Sequence, residues 1–520
     1  MNSYALGSVP NSLEENTGLL EERLSSDNDA EPRNVIFELD RRFSRPTWTS
    51  YLISLVEAVG AIHWGSAISD IAWFCVPSFL QGRHMREKIR PAKVHPTAYL
   101  DGMRGVAALF VYFCHYTVQG FVINRGWGWQ GTLYGFWRLP FVRLWYCGPP
   151  AVSIFFVISG YALSYKPLKL MRSHKTQDFS INMTSMVFRR GIRLFLPTAI
   201  STFIFFCMIR LGAFELTREL VSNKAYFRHV VLHVPNRPDS VTAHFMQWVR
   251  HIIRGFKLFD FIDRSALTEF DLFLWTIPIE YRCSLYLSAM LVGTARLQTK
   301  YRLLTLAFAI YVVYRSVRWD FLMFLCGMGL AEWDQIRGAH TTSPTLPVDE
   351  KQSGSARQRL KPILWNLISI LALYFLSQPD VGGEETPGWI FLTSIIPEWW
   401  DKPYRYWQGL GSVLFILSVS YSAFWLRVFN SGPIQYLGKI SYSFYIVHGP
   451  TTRLIGYHIE GLAWSITGVE GHWYTVGFAL GACFSLPCVV FIADIFWRAV
   501  DIPAVKFARW LEGKVNVKED

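Results

Sequence analysis

An all-α, polytopic membrane bundle of about ten transmembrane helices is the fold class this sequence predicts. Three observations lead there. Of 520 residues, 51% are hydrophobic and only 17% are charged, against about 25% in an ordinary soluble protein. Apolar runs long enough to cross roughly 30 Å of hydrocarbon recur along the chain. Basic clusters lie between these runs, and basic loops facing the cytosol account for the formal net charge of +12 without any nucleic acid.

The elements follow in order. Residues 1–46 are polar and acidic-rich, with no basic segment leading into an apolar core. We read a disordered cytosolic tail and no cleavable signal peptide. Residues 47–94 hold an apolar stretch, Ser50 to Leu80, carrying Glu57, His63 and Asp70 and interrupted by Pro77. This reads as an interfacial or re-entrant segment and linker. The bundle occupies 95–505, with spans near 99–123, 144–165, 191–211, 271–294, 301–314, 320–333, 361–377, 409–428, 433–454 and 473–498. Residues 506–520 complete the chain as a cytosolic C-terminal tail.

Loop charge sets the orientation. Lys166, Lys169, Arg172, Lys175, Arg189, Arg190 and Arg193 fall between the second and third spans against one acid, Asp178. That loop should face the cytosol. The acidic loop from Asp380 to Asp401 falls opposite, and ten spans leave both termini cytosolic. The long loop from Phe214 to Glu269 is then lumenal. Within it, Phe245, Trp248, Ile252 and Phe256 share one helix face and Arg250, Arg254 and Lys257 another, the pattern of a helix on a membrane surface. His229 and His233 have the spacing of a metal pair but no third ligand, so no metal is expected. The sequon at Asn182 falls on the cytosolic side. The eight cysteines are scattered and read as reduced thiols.

Ionisable groups inside a bilayer cost a few kcal/mol each and mark cavities or partners. "YLDGMRGVAALFVYFCHYTVQG" carries three. Asp101, Arg104, Ala108, Val111 and His115 form one helical stripe. Arg104 stands near the cytosolic mouth and His115 roughly 16 Å deeper. In "LGKISYSFYIVHGP", Ser441, Tyr445 and His448 share a face, and His448 reaches a depth similar to that of His115. "FLWTIPIEYRCSLYL" places Glu280 and Arg282 inside the fourth span, where Glu280 either orients a histidine or holds a proton, or pairs structurally with Arg282 or Lys439. "FRRGIRLFLP" places Arg190 and Arg193 one turn apart, either as topology-setting charge or as a fork for phosphates. A stripe basic at its mouth with an imidazole within suits an anionic ligand from the cytosol.

Six stretches, in this order, resemble the acyltransferase-3 family of integral membrane acyltransferases, in its fungal branch. They are "LDGMRGVAALFVYFCH", "FFVISGYALS", "RRGIRLFLP", "LWTIPIEYRCSLYL", "FLCGMGLA" and "LGKISYSFYIVH". The resemblance implies a ten-helix bundle that moves an acyl group, usually acetyl, from a cytosolic coenzyme A thioester to a hydroxyl. It implies His115, Glu280 and His448 as catalytic residues, with His115 foremost. Arg104, Arg190 and Arg193 would hold the acyl-coenzyme A. Two departures stand out: Thr276-Ile277-Pro278 precedes the glutamate, and Asp501 replaces a C-terminal glutamate.

The expected activity is therefore a coenzyme A-dependent O-acetyltransferase, with acetyl-CoA or another acyl-CoA as co-substrate and no metal. The acceptor is a hydroxylated small molecule, such as a terpenoid or polyketide of fungal secondary metabolism. A neutral imidazole can take the hydroxyl proton or carry the acyl group itself. Ser441 and Tyr442 are candidate donors to the oxyanion. The endoplasmic reticulum or another endomembrane is the expected location. A transporter or flippase for lipids or metabolites is the leading rival; it would use the same charges for coupling, although the sequence shows no repeated halves. An inactive receptor or scaffold is the second rival.

Overall fold

The computed structural model describes residues 73–81, 95–231, 234–255, 270–339 and 356–516. The N-terminal tail, most of the 47–94 segment, His233, Phe256, Lys257 and the last residues of the C-terminal tail lie outside these. Met1–Lys93 forms one unit, of which the described part is a turn where the Gln81 side chain donates to the carbonyls of Trp73 and Val76. Val94–Asp520 forms the other and is all-helical among the described residues.

Each of the ten predicted stretches contains α-helix, but the helix in 99–123 ends at Thr117 and 409–428 is broken between Val419 and Ala423. In chain order the helices are α1 (Ala98–Thr117), α2 (Gly148–Arg172), α3 (Thr176–Arg210), α4 (Glu215–Ser222), α5 (Val241–Gly255), α6 (Thr276–Thr294), α7 (Thr299–Arg315) and α8 (Trp319–Ile336). There follow α9 (Ala356–Leu376), α10 (Ile390–Ser394), α11 (Tyr404–Val419), α12 (Ala423–Phe429), α13 (Gly432–Thr451), α14 (Tyr457–Thr467), α15 (Gly471–Phe496) and α16 (Ile502–Val515). Three helical stretches among the described residues are long and apolar enough to cross a membrane: α2, α3 and the continuous Gly471–Val515. The pair α11 and α12, bent by 98°, makes a fourth if it is one span. The count of ten expected from the sequence is not reached on length and apolarity alone. One reason is visible in α1, where Asp101 and Arg104 lower the apolar content of a helix otherwise buried among its neighbours.

Where a basic loop was expected after the second span, the chain stays helical. α2 runs to Arg172 and α3 starts at Thr176. α3 has 35 residues, about 52 Å at 1.5 Å per residue, so it exceeds a hydrocarbon core of about 30 Å and projects its charged first turns. Likewise, α15 continues through a π-turn, Trp497–Asp501, into α16. Glu512 on α16 pairs with Arg189 on α3 at 3.1 Å. α13 continues through a second π-turn, Thr452–Gly456, into α14. Such turns are rare and cluster at functional sites; these two present Arg453 and Asp501.

Glycine sets the closest helix contacts. A Cβ at Gly160 on α2 would lie 2.2 Å from the Phe324 carbonyl oxygen on α8, and one at Gly327 would lie 2.2 Å from that of Val157. All eight cysteines are free. The predicted surface helix exists as α5, but its inner face is rotated from the one expected. His244 and His251 are buried, and Phe245 is exposed. Trp248 donates its indole N–H to Thr202 on α3 at 3.1 Å. Burial, and then the Arg254 charge, lower His251 to about 4.

Candidate active site

The centre of the site is set by backbone contact between α1 and α13. A Cβ at Gly105 would lie 2.5 Å from the Gly438 amide nitrogen, and one at Gly438 would lie 2.5 Å from the Asp101 carbonyl oxygen. From this contact each helix continues ten residues, to His115 and to His448, about 15 Å along parallel axes. The two imidazoles therefore arrive level. Their ring centroids are 5.5 Å apart and their planes 17° apart.

A third ring, absent from the sequence expectations, joins them. Phe273 stacks on His115 with centroids 3.7 Å apart and on His448 at 4.9 Å. It sits in a 3-10 turn, Leu272–Trp275, that leads into α6. Three contacts hold that turn. Asp271 accepts the Phe273 amide, Arg453 donates to Asp271 at 2.7 Å, and the Tyr445 hydroxyl donates to the Phe273 carbonyl. A Cβ at Gly449 would lie 2.6 Å from the Phe273 ring, so the turn is also clamped from α13.

The two histidines are not equivalent. His448 is buried, and its Nδ1 lies 2.6 Å from the Tyr445 carbonyl oxygen. A carbonyl only accepts, so Nδ1 carries the hydrogen and the neutral ring keeps its lone pair on Nε2. That Nε2 is buried without a partner. His115 is half-buried and makes no hydrogen bond among the described residues, which leaves both of its nitrogens available to a ligand.

The basic residues collect toward the other end of α1. Arg190 on α3 pairs with Glu280 on α6 at 2.7 Å, and Ser159 on α2 donates to the same carboxylate oxygen at 3.0 Å. Arg104 and Arg193 both act electrostatically on Arg190 and on Asp501. Neither has a carboxylate within ion-pair distance among the described residues, and the Arg104 Nε is buried without an acceptor. An orphaned guanidinium donor beside a second unpaired arginine matches the needs of a phosphate oxygen.

Glu280 thus joins the arginine group, and the Arg282 pairing considered for it does not form. Arg282 lies 3.6 Å from Asp320, which also pairs with Arg318. The hydroxyls considered as oxyanion donors are engaged elsewhere. Tyr442 donates to the Leu194 carbonyl at 2.6 Å, and Ser441 to that of Gly438 at 2.8 Å. No group of three or more metal-ligating side chains occurs among the described residues.

A family model described as an acyltransferase domain matches residues 97–498. O-acetyltransferase PaAT-1 of Phomopsis amygdali is 29% identical over 452 residues, covering 84% of this chain and 87% of that one. Acyltransferase R4 of Phoma sp. is 24% identical over 473 residues, covering 84% and 100%. Acyltransferase clz18 of Cochliobolus lunatus is 25% identical over 469 residues, covering 82% and 97%. No solved structure matches. The domain match runs from the start of α1 into the π-turn Trp497–Asp501 and takes in both histidines, Glu280 and all three arginines. The chain belongs to the acyltransferase-3 family of membrane acyltransferases.

Proposed function

We propose that this protein is a multi-pass membrane O-acetyltransferase. It takes acetyl from acetyl-CoA on the cytosolic side and transfers it to a hydroxyl of a small, largely apolar molecule. The observation that carries the reading is an accessible imidazole, His115, level with His448, with Arg104 about 16 Å away on the same helix and Arg190 and Arg193 of α3 near that arginine. A coenzyme A thioester has that shape in charge, with phosphates at one end and a neutral reacting carbonyl at the other. The relative whose name specifies O-acetyl transfer supports acetyl as the group and oxygen as the acceptor atom.

In this reading Arg104 and Arg193 hold phosphate oxygens, and Arg190 is kept in place by Glu280. The acceptor hydroxyl gives its proton to the imidazole of His115 as its oxygen attacks the thioester carbonyl. The tetrahedral intermediate expels the coenzyme A thiolate, which takes that proton from His115. Phe273 holds the ring plane and keeps water away from one face. His448 and Glu280 tune and support the constellation. The protruding basic ends of α2 and α3 support a cytosolic face there, which suits an endomembrane protein with both termini in the cytosol and ten spans.

The test is product analysis. Membranes containing this chain receive radiolabelled acetyl-CoA and a panel of hydroxylated terpenoids, polyketides and sugars. Label appearing on an acceptor supports acetyl transfer. Acceptor flux without modification would replace this reading with a transporter.

A further inference from the structure

The stripe on α1 continues past His115. Residues four apart share a helix face, and the backbone stays helical through Val118. Gln119 is therefore the next member of the stripe, about 6 Å beyond His115. Its amide nitrogen donates to Oε2 of Glu460 on α14. Both side chains are fully buried. The backbone of His229 pairs with the Gln119 carbonyl and that of Val230 with Val118, so the loop after α4 closes over this end of the helix.

Three oxygens here have no partner among the described residues: Oε1 of Glu460, Oε1 of Gln119 and the hydroxyl of Tyr116. They belong to one cluster. Gln119 bonds Glu460, and a Cβ at Gly481 on α15 would lie 2.9 Å from the Tyr116 hydroxyl and 3.0 Å from the Glu460 Cα. No cation lies within ion-pair distance of Glu460 among the described residues. Buried polar atoms are nearly always paired, and each unpaired one costs about 1–3 kcal/mol. Three in one place mark a position where a partner belongs.

The chemistry of that partner follows from the atoms. An oxygen-only cluster holding a carboxyl group repels phosphate, so the coenzyme A end of the donor is excluded. A hard metal ion takes about six or more oxygens, more than stand here. An uncharged hydroxyl donates to a carbonyl or carboxyl oxygen and accepts from a phenol, which these three groups supply.

We propose that Tyr116, Gln119 and Glu460 form a hydroxyl-binding subsite for the acceptor, and that the acceptor carries a second hydroxyl about 6 Å from the one acylated at His115. The inference rests on the acyl-transfer reading above. The α1 stripe then has two ends of opposite preference, with anionic donor toward Arg104 and neutral polyol toward Glu460.

The test uses the full chain in lipid nanodiscs with acetyl-CoA and a matched pair of acceptors: a polycyclic terpenoid diol with hydroxyls about 6 Å apart and its mono-deoxy counterpart. A site built to bond a hydroxyl discriminates strongly against an analogue lacking it. Wild type should prefer the diol at least tenfold in kcat/KM. Tyr116→Phe removes an oxygen that bonds nothing, so it folds, and it should cut that preference severalfold. Gln119→Leu with Glu460→Leu removes the pair as a unit and should bring the preference to within about twofold, with the KM for acetyl-CoA little moved. A diol preference that survives in both variants, or that is absent in wild type while transfer proceeds, overturns the subsite alone. Absence of transfer to either acceptor in wild type overturns the acyl-transfer reading and the subsite together.

Discussion

Replacing Gly438 with alanine tests whether the α1–α13 contact sets the geometry of the two histidines. The new Cβ would meet the Asp101 carbonyl oxygen at 2.5 Å and its carbon at 2.7 Å, whereas ordinary contact starts at 3.4 Å. The obstacle is backbone on both sides, so no side chain can swing away. The helices must separate or slide by about 0.9 Å, the difference between those distances. Overpacking of this kind costs about 1–3 kcal/mol. The catalytic cost is larger, because a displacement near 1 Å between catalytic groups lowers rates roughly 100-fold. Gly293 on α6 provides the control, since a Cβ there meets nothing within 4 Å. Gly293→Ala should be neutral, or stabilising by roughly 0.5–1 kcal/mol. The assay is acetyl transfer per folded molecule, with thermal unfolding in detergent alongside. If Gly438→Ala keeps wild-type turnover and stability, the level placement of His115 and His448 does not depend on this contact.

Three further outcomes follow from the site and its surroundings. Arg193→Ala should raise the KM for acetyl-CoA about 10- to 100-fold with little effect on folding, because a charge-assisted contact is worth about 1.5–3 kcal/mol and Arg193 has no ion-pair partner to abandon among the described residues. Arg190→Ala should also destabilise, since it strands Glu280; equal melting temperatures for the two variants would refute that distinction. Arg453→Met leaves Asp271 buried without its cation, which should cost about 3–5 kcal/mol and loosen the Phe273 turn; the check is thermal unfolding with turnover measured on the surviving fold. His251 is held well below its unfolded value of 6.5. Its contribution is present above pH 6.5 and disappears as pH falls toward 4, a loss of roughly 3 kcal/mol. Unfolding midpoints from pH 7 to 4 should fall less steeply in His251→Leu, and identical slopes would show that α5 does not respond through this residue.

Much of this site is legible in the sequence, for a simple physical reason. Charged and imidazole groups are so costly in apolar helices that their presence and spacing carry position. His115 and His448 could be matched in depth because each lies the same distance along its helix. Arg104, Arg190 and Arg193 stood out as basic residues at one end of those helices. Phe273 was not legible, since a phenylalanine in an apolar run looks like any core or lipid-facing residue. Only the turn held by Asp271, Arg453 and Tyr445 places its ring against both histidines. Glu280 was visible as a residue, but its partner on another helix was not. Gln119 lies just past the helix end at Thr117, and Glu460 sits on α14 beyond the predicted span 433–454, so neither shares a predicted polar stripe. The α3 start was missed because a charged helix projecting beyond a bilayer reads like a basic loop. The bend between α11 and α12 was missed because no proline or glycine marks it; Ser422 caps the new helix by accepting the Trp425 amide.

His115→Ala bears most directly on the central claim. The imidazole is half-buried and bonds no neighbour among the described residues, so its removal should leave folding intact and coenzyme A binding close to normal. Acetyl transfer per correctly folded molecule should drop by at least about 100-fold, the lower range for a general acid–base group, and further if the ring also carries the acyl group. His448→Ala, measured beside it, should fall less. Near-normal turnover in His115→Ala would contradict the account and pass the role of base to His448 or Glu280.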